Sequence, residues 1–159
     1  MLDTIIALLS GRAQWTQVGP VLIGITLALV AGITFHEFGH ALVAYRLGDP
    51  TPKRMGRVTL NPAAHIDPMG AIIFFLAGFG WGRPVQFQPY LLRMNPRVGS
   101  ALVALAGPTA NFILALVFGT LFRVLDGISM ASPTPGIVFG LNTLLRFVQF
   151  NIILGFYNL

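Results

Sequence analysis

The stretch FHEFGH, residues 35–40, decides the fold and chemistry predicted for this chain, because it places two histidines four positions apart with a glutamate directly after the first. In an α-helix, residues four apart lie on the same face, so His36 and His40 can share one metal ion. Neutral imidazoles suit zinc, and Glu37 is placed to take a proton from a water molecule at the metal. This spacing is typical of a zinc hydrolase.

The residues before this stretch indicate that its helix lies in a membrane. Residues 18–35 carry no charge, which is about the length that a helix needs to cross a bilayer. A single histidine on an apolar helix is usually an ordinary core residue. Three ionisable side chains at metalloprotease spacing within a hydrophobic span indicate a functional site instead, because burying them in lipid is costly.

The composition of the whole chain supports the same class of protein. Of its 159 residues, 55% are hydrophobic and only 9% are charged, whereas a soluble domain carries about 25% charged residues. The absence of cysteine excludes disulfides and thiolate ligands, which leaves His, Asp and Glu for a metal. The net charge of +5 comes without a basic helix or an aromatic platform, so we do not expect a nucleic-acid partner.

Three apolar runs predict three spanning helices, at residues 18–45, 98–122 and 136–159. We expect one membrane-embedded domain over residues 1–159, in which residues 46–97 form a cytoplasmic and re-entrant region between the first two spans. No internal repeat or polar pore stripe is visible, so a transporter or channel is not indicated.

The region between the first two spans contains shorter elements. Residues 69–80 are apolar over only 12 positions, which suits a re-entrant or interfacial segment better than a crossing. Residues 57–60 and 81–87 are predicted as short extended pieces. The predicted fold class is therefore an all-α membrane protein with three spanning helices, a short re-entrant or interfacial segment and small membrane-associated β elements.

The basic residues predict the orientation in the membrane. Seven of the ten lie between the first two spans, and the positive-inside rule places them in the cytoplasm. The first helix then runs inward, and His36 and His40 lie toward its cytoplasmic end. The seven residues are Arg46, Lys53, Arg54, Arg57, Arg83, Arg93 and Arg97.

Three further polar residues are candidates for supporting the site. His65 and Asp67 could be metal ligands or could cap a turn, and capping is the commoner role of an Asp before a proline. Asn111 lies one turn after Gly107-Pro108 in the second span. Its amide needs a partner in lipid, so it either joins two helices or lies near the metal site.

Together these motifs resemble the site-2 protease family of intramembrane zinc metalloproteases, in its short bacterial and archaeal branch. The resemblance covers nearly the whole chain. It rests on HEFGH at residues 36–40, NP at 61–62 leading into HIDP at 65–68, GWGRPV at 80–85, and AGP at 106–108 followed by Asn111.

The resemblance implies a zinc ion held by His36 and His40, with Glu37 activating the water and Asn111 nearby. It further implies a membrane-embedded sheet around Val58 and Val85. The substrate would be a transmembrane helix, cut in or near the bilayer during regulated intramembrane proteolysis. The expected location is a prokaryotic cell membrane, with the bilayer and a membrane-protein substrate as partners.

One motif of that family is missing from these residues. Its third ligand is an aspartate in a Leu-Asp-Gly motif shortly after an Asn-Leu pair, and Asn158-Leu159 are the last two residues here. Because a catalytic zinc normally has three protein ligands, we expect the natural chain to continue to that aspartate. Replacement by His65 or Asp67 is the alternative for the ligand. The alternative for the function is a catalytically inactive homologue or fragment that binds membrane proteins.

Overall fold

The computed structural model describes residues 2–77, 80–129 and 133–159. Three of its helices are long and apolar enough to cross a membrane by length and composition, which confirms the predicted all-α class with three spans. The helices are α1 (Leu2–Leu9), α2 (Trp15–Arg46), α3 (Thr51–Arg54), α4 (Pro68–Ala77), α5 (Pro96–Ser129) and α6 (Pro135–Tyr157), with 3-10 turns at Pro62–Ala64 and Pro89–Leu91.

The first two spanning helices extend beyond the apolar runs that predicted them. At 1.5 Å per residue, the 32 residues of α2 measure about 48 Å, against about 30 Å of bilayer hydrocarbon. Capping groups set the starts of the other two helices. The side chain of Asn95 accepts from the backbone N–H groups of Arg97 and Val98, and Thr134 accepts from Ile137.

The predicted end of the second spanning helix, at residue 122, is wrong. Helix α5 continues through Arg123 and Asp126 to Ser129. A charged residue ends the apolar run but not the helix, because Arg and Leu are good helix formers and no proline interrupts this stretch. The third span begins at Pro135 and ends at Tyr157, against the predicted residues 136–159.

The predicted strand at residues 57–60 is also wrong. The backbone N–H of Thr59 donates to the carbonyl of Arg57, which is a tight turn rather than extended pairing. The carbonyl of Thr59 accepts from Nε2 of His65 at 2.8 Å, so a side chain takes the place of a neighbouring strand. Within the described residues, the β pairing is a single antiparallel bridge between Ile66 and Gly82.

Arg57 holds the segments on either side of that bridge together. Its guanidinium donates to the carbonyl of Ala64 at 2.6 Å and to the carbonyl of Arg83 at 3.0 Å. The backbone N–H of Arg83 donates to the carbonyl of His65. These bonds fix residues 80–85 as an extended segment beside the bundle.

Helices α2, α5 and α6 pack against one another pairwise. Small residues allow the close approaches: a Cβ at Gly24 of α2 would lie 2.5 Å from the carbonyl oxygen of Thr143 on α6. A Cβ at Gly39 would lie 2.8 Å from the carbonyl oxygen of Ala106 on α5. The ten residues of α4 measure about 15 Å, too short to span, and Phe74 of α4 packs on Phe150 of α6.

Candidate metal and catalytic site

The two histidines of the HEFGH stretch meet on one face of α2. Their ring planes are nearly perpendicular, at 83°, and their centroids are 4.6 Å apart. The Nε2 atoms of His36 and His40 face each other at 3.0 Å. The helical spacing therefore brings two nitrogen ligand atoms to one point.

The other nitrogen of each ring is held by an oxygen from α5. Nδ1 of His36 lies 2.6 Å from Oδ1 of Asn111, and Nδ1 of His40 lies 2.6 Å from the carbonyl oxygen of Val103. A carbonyl oxygen only accepts, so each Nδ1 carries the ring hydrogen and each Nε2 presents a lone pair.

Two lone pairs that face each other at 3.0 Å repel unless a cation is shared between them. Tetrahedral zinc with Zn–N bonds of about 2.0–2.1 Å would hold two such nitrogens about 3.3 Å apart. Histidine ligands also donate their remaining N–H to a carbonyl or carboxylate, as both rings do here. His36 and His40 thus fit as two ligands of one metal ion.

Gly107 of α5 leaves room at the ligand atoms. A Cβ built there would collide with Nε2 of both His40 and His36. Any other residue at this position would therefore occupy the space in front of the two nitrogens. The adjacent Pro108 is fully buried in the same turn.

Glu37 belongs to α2, and its carboxylate is anchored by the extended segment. Its Oε2 accepts from the backbone N–H of Val85 at 3.0 Å. A Cβ at Gly82 would lie 3.9 Å from its Oε1, which makes no hydrogen bond within the described residues. Glu37 therefore has one anchored oxygen and one oxygen left to accept a proton.

A cavity of about 860 Å³ opens onto His36, Glu37 and Asn111. Its walls come from α2, α4, α6 and the extended segment, and they are largely apolar. They include Leu29, Ile33, Phe74, Trp81, Phe150 and Ile153. A polar end in an apolar cavity is the usual form of a site that places a substrate against a few reactive groups.

The other two predicted candidates do not join this site. His65 is fully buried, and its Nε2 donates to the carbonyl of Thr59. Burial lowers the pKa of His65 below its ordinary value, and the nearby charge of Arg57 lowers that pKa further. Asp67 accepts from the backbone N–H groups of Met69 and Gly70, which are the contacts of a helix cap. Over residues 2–77, 80–129 and 133–159, no three His, Asp or Glu side chains form a metal-binding group.

Sequence reasoning missed three groups that hold the site. The carbonyl of Val103 and the N–H of Val85 are backbone atoms, and nothing in a sequence distinguishes one backbone carbonyl from another. Asn151 of α6 accepts from Nδ2 of Asn111 at 3.1 Å. Its signal was available, because an amide in an apolar span needs a partner.

Comparisons with known proteins agree with this geometry. A model of the family described as "Peptidase family M50" matches residues 24–155. The "Putative zinc metalloprotease YwhC" of Bacillus subtilis is 45% identical over 93 residues, covering 58% of this chain and 42% of the relative. The "Putative zinc metalloprotease Rip2" proteins are 34% identical in Mycolicibacterium smegmatis and 35% in Mycobacterium tuberculosis strain H37Rv.

The Rip2 matches each cover 64% of this chain and 42% of the relative, so the chain spans less than half the length of the relatives it matches. No solved structure matches. The family match covers most of the chain and includes both histidines, Glu37 and Asn111. The chain is therefore an integral membrane protein that belongs to peptidase family M50, the site-2 protease family.

Proposed function

We propose that this chain forms the core of an intramembrane zinc metalloendopeptidase that cleaves transmembrane segments in or near the bilayer, as in regulated intramembrane proteolysis. The observation that carries the proposal is the pair of Nε2 atoms, 3.0 Å apart, with both Nδ1 atoms held by oxygens. The names of the relatives point to the same metal and reaction class.

In this proposal His36 and His40 hold the zinc ion. Zinc, when bound, supplies a Lewis acid that polarises the scissile carbonyl and makes an attacking water more acidic. A catalytic zinc normally has three protein ligands, and the described residues supply two. The third would come from a residue outside this pair, as the family resemblance implies.

Glu37 would act as the general base. Its free Oε1 accepts a proton from the attacking water and then passes that proton to the leaving amine. The bond from the N–H of Val85 to Oε2 prevents the carboxylate from rotating away during these transfers. The extended segment thereby both anchors Glu37 and forms part of the cavity wall.

The cavity supports a membrane-protein substrate. Its apolar walls suit the side chains of a transmembrane segment, and its volume of about 860 Å³ admits several of them. A peptide bond can reach Glu37 only if its local helix is unwound, because an intact helix hides its backbone. We therefore expect the substrate to enter as a locally extended segment from the bilayer.

The proposed orientation places the reaction near the cytoplasmic end of α2. His36 lies ten residues before Arg46, about 15 Å along the helix. The basic residues that follow α2 favour the cytoplasmic side under the positive-inside rule. The bacterial sources of the relatives support a prokaryotic cell membrane.

The test separates metal binding from cleavage. The variant Glu37→Gln should retain zinc, measured by elemental analysis of the purified membrane protein, because it leaves both histidines and their partners in place. It should lower cleavage of a co-expressed single-span membrane protein, tagged at both ends, by at least about 100-fold, since general acid–base catalysis contributes about 10²–10⁴-fold. The matched control His36→Ala should lose both zinc and cleavage.

Unchanged cleavage by the Glu37→Gln variant would show that Glu37 is not the general base. The rival function, a binding module for membrane proteins, is favoured by the two-residue donor set of the described chain. It would show as co-purification of the intact tagged protein without zinc and without cleavage products. Zinc in the unsubstituted protein, lost in His36→Ala, would count against that function.

A further inference from the structure

Asn151 is the buried polar group of α6 that lies closest to the two histidines in the hydrogen-bond network. It is fully buried, and it belongs to the most weakly buried of the three spans. Its Oδ1 accepts from Nδ2 of Asn111, and its own Nδ2 donates to the carbonyl of Phe147 at 3.0 Å. A helix that only needed to pack could place an apolar residue here without the cost of burying an amide.

The direction of each hydrogen bond in this network is determined. The carbonyl of Phe147 only accepts, so the end of Asn151 facing it is the NH₂ group and the other end is an acceptor. Asn111 donates from Nδ2 both to that acceptor and to the carbonyl of Gly32 at 3.2 Å. Both hydrogens of Nδ2 are thus used, and the Oδ1 of Asn111 must face Nδ1 of His36.

We propose that Asn151 is a positioning residue of the metal site, acting through Asn111 to keep the ring hydrogen of His36 on Nδ1. The Nε2 lone pair of His36 is then directed at the metal position. Asn151 touches neither the histidine nor the substrate. The relay runs from α6 through α5 to α2, so all three spans contribute to one ligand. Its consequence for zinc rests on the function proposed above.

The second histidine provides an internal control. Nδ1 of His40 is held by the backbone carbonyl of Val103, which has no bond to either asparagine. The two ring centroids lie 4.6 Å apart on one face of α2. A general loosening of the bundle would weaken the Nδ1 bonds of both rings, whereas loss of the relay would shift the ring hydrogen of His36 and leave that of His40 on Nδ1.

The decisive measurement is the tautomer of each histidine in metal-free protein, read from long-range ¹H–¹⁵N spectra of ¹⁵N-histidine-labelled chain at about pH 8.5, where imidazole is neutral. The chain has only three histidines, so assignment by single substitutions is direct. In Asn151→Leu, we expect the Nδ1–H to Nε2–H ratio of His36 to fall about fivefold or more, the equilibrium effect of one hydrogen bond. The ratio of His40 should not fall, because a hydrogen on Nε2 of His36 would face the Nε2 lone pair of His40 at 3.0 Å.

Asn151→Ala removes the same acceptor without added bulk and gives the same test if the leucine variant does not fold. Asn142→Leu is the matched control, since it makes the same change at an exposed position of α6. An unchanged His36 ratio in a folded Asn151 variant would overturn the proposal, as would an equal change in both rings.

Zinc affinity is the second readout, and it distinguishes failure of this proposal from failure of the proposed function. We expect Asn151→Leu to weaken zinc binding about 10-fold or more, while Asn142→Leu leaves it unchanged, because partners of ligating histidines affect affinity at that scale. A tautomer change in a chain that binds no zinc would support the relay and contradict the zinc site. Zinc binding with no tautomer change would support the zinc site and contradict the relay.

Discussion

At the scale of single residues, the site depends on space as much as on ligands. The sequence predicted His36 and His40 on one helical face, with Glu37 beside them, because the period of a helix is enough to bring the two histidines together. It did not predict that Gly107 lies directly in front of Nε2 of both histidines. That contact depends on how α5 crosses α2, and the crossing is set by many side chains that no local pattern contains.

Replacing Gly107 with alanine should therefore weaken the proposed metal binding without unfolding the protein. The added Cβ would lie in the space that a shared metal needs, and we expect at least a tenfold loss of zinc affinity, as for other disturbed metal sites. The control is Gly119→Ala on the same helix, where the new Cβ would make an ordinary contact with Val148 at 3.6 Å. Equal zinc affinities in the two variants, by competition titration with a chelator, would contradict this account.

At the scale of elements, helices were predicted better than the segments between them. An uncharged run of about 20 residues specifies a membrane helix almost by itself. The strand predicted at residues 57–60 was wrong because the order of this region comes from Arg57, which binds the carbonyls of Ala64 and Arg83, rather than from strand pairing. Strand propensity does not predict a side chain whose hydrogen bonds take the place of those between paired strands.

The substitution Arg57→Met should loosen the extended segment while keeping an apolar stem of similar length. Hydrogen bonds to a charged group contribute about 1.5–3 kcal/mol, so we expect the Val85 amide to exchange with solvent about tenfold faster or more. Hydrogen–deuterium exchange with mass spectrometry on peptides covering residues 80–88 would measure the change. Arg54→Met, at an exposed position of α3, is the control, and equal protection in both variants would show that Arg57 does not hold the segment.

At the scale of the whole molecule, three helices cross through small residues. Gly24, Gly39 and Gly107 each lie against a neighbouring helix, and side chains at these crossings would force the helices apart. Hydrogen bonds then connect the closely packed helices: His36, Asn111 and Asn151 link α2, α5 and α6 in one network. The lengths of the apolar runs predicted that these helices exist. How the helices are shifted and rotated relative to one another follows from these contacts.

Substituting Gly24 with leucine should destabilise the bundle as a unit. A side chain there would run into the backbone at Thr143, and overpacking of this kind costs about 1–3 kcal/mol or more. We expect a lower melting temperature in detergent micelles than for the unsubstituted protein. Gly140→Leu on α6, where a Cβ would meet open space, should not lower the melting temperature, because leucine is a better helix former than glycine. A similar decrease for both variants would mean that side-chain bulk alone, and not the crossing, is responsible.

The oxygens that hold His36 and His40 both belong to α5, while both rings belong to α2. A slip of one helix against the other by a single turn, about 5.4 Å, would break both bonds at once. In the proposed zinc enzyme, the affinity for zinc would then depend on how far α2 and α5 are shifted along their axes relative to each other. A lipid bilayer of unsuitable thickness, or a partner that pulls on one span, could release zinc without touching any atom of the site.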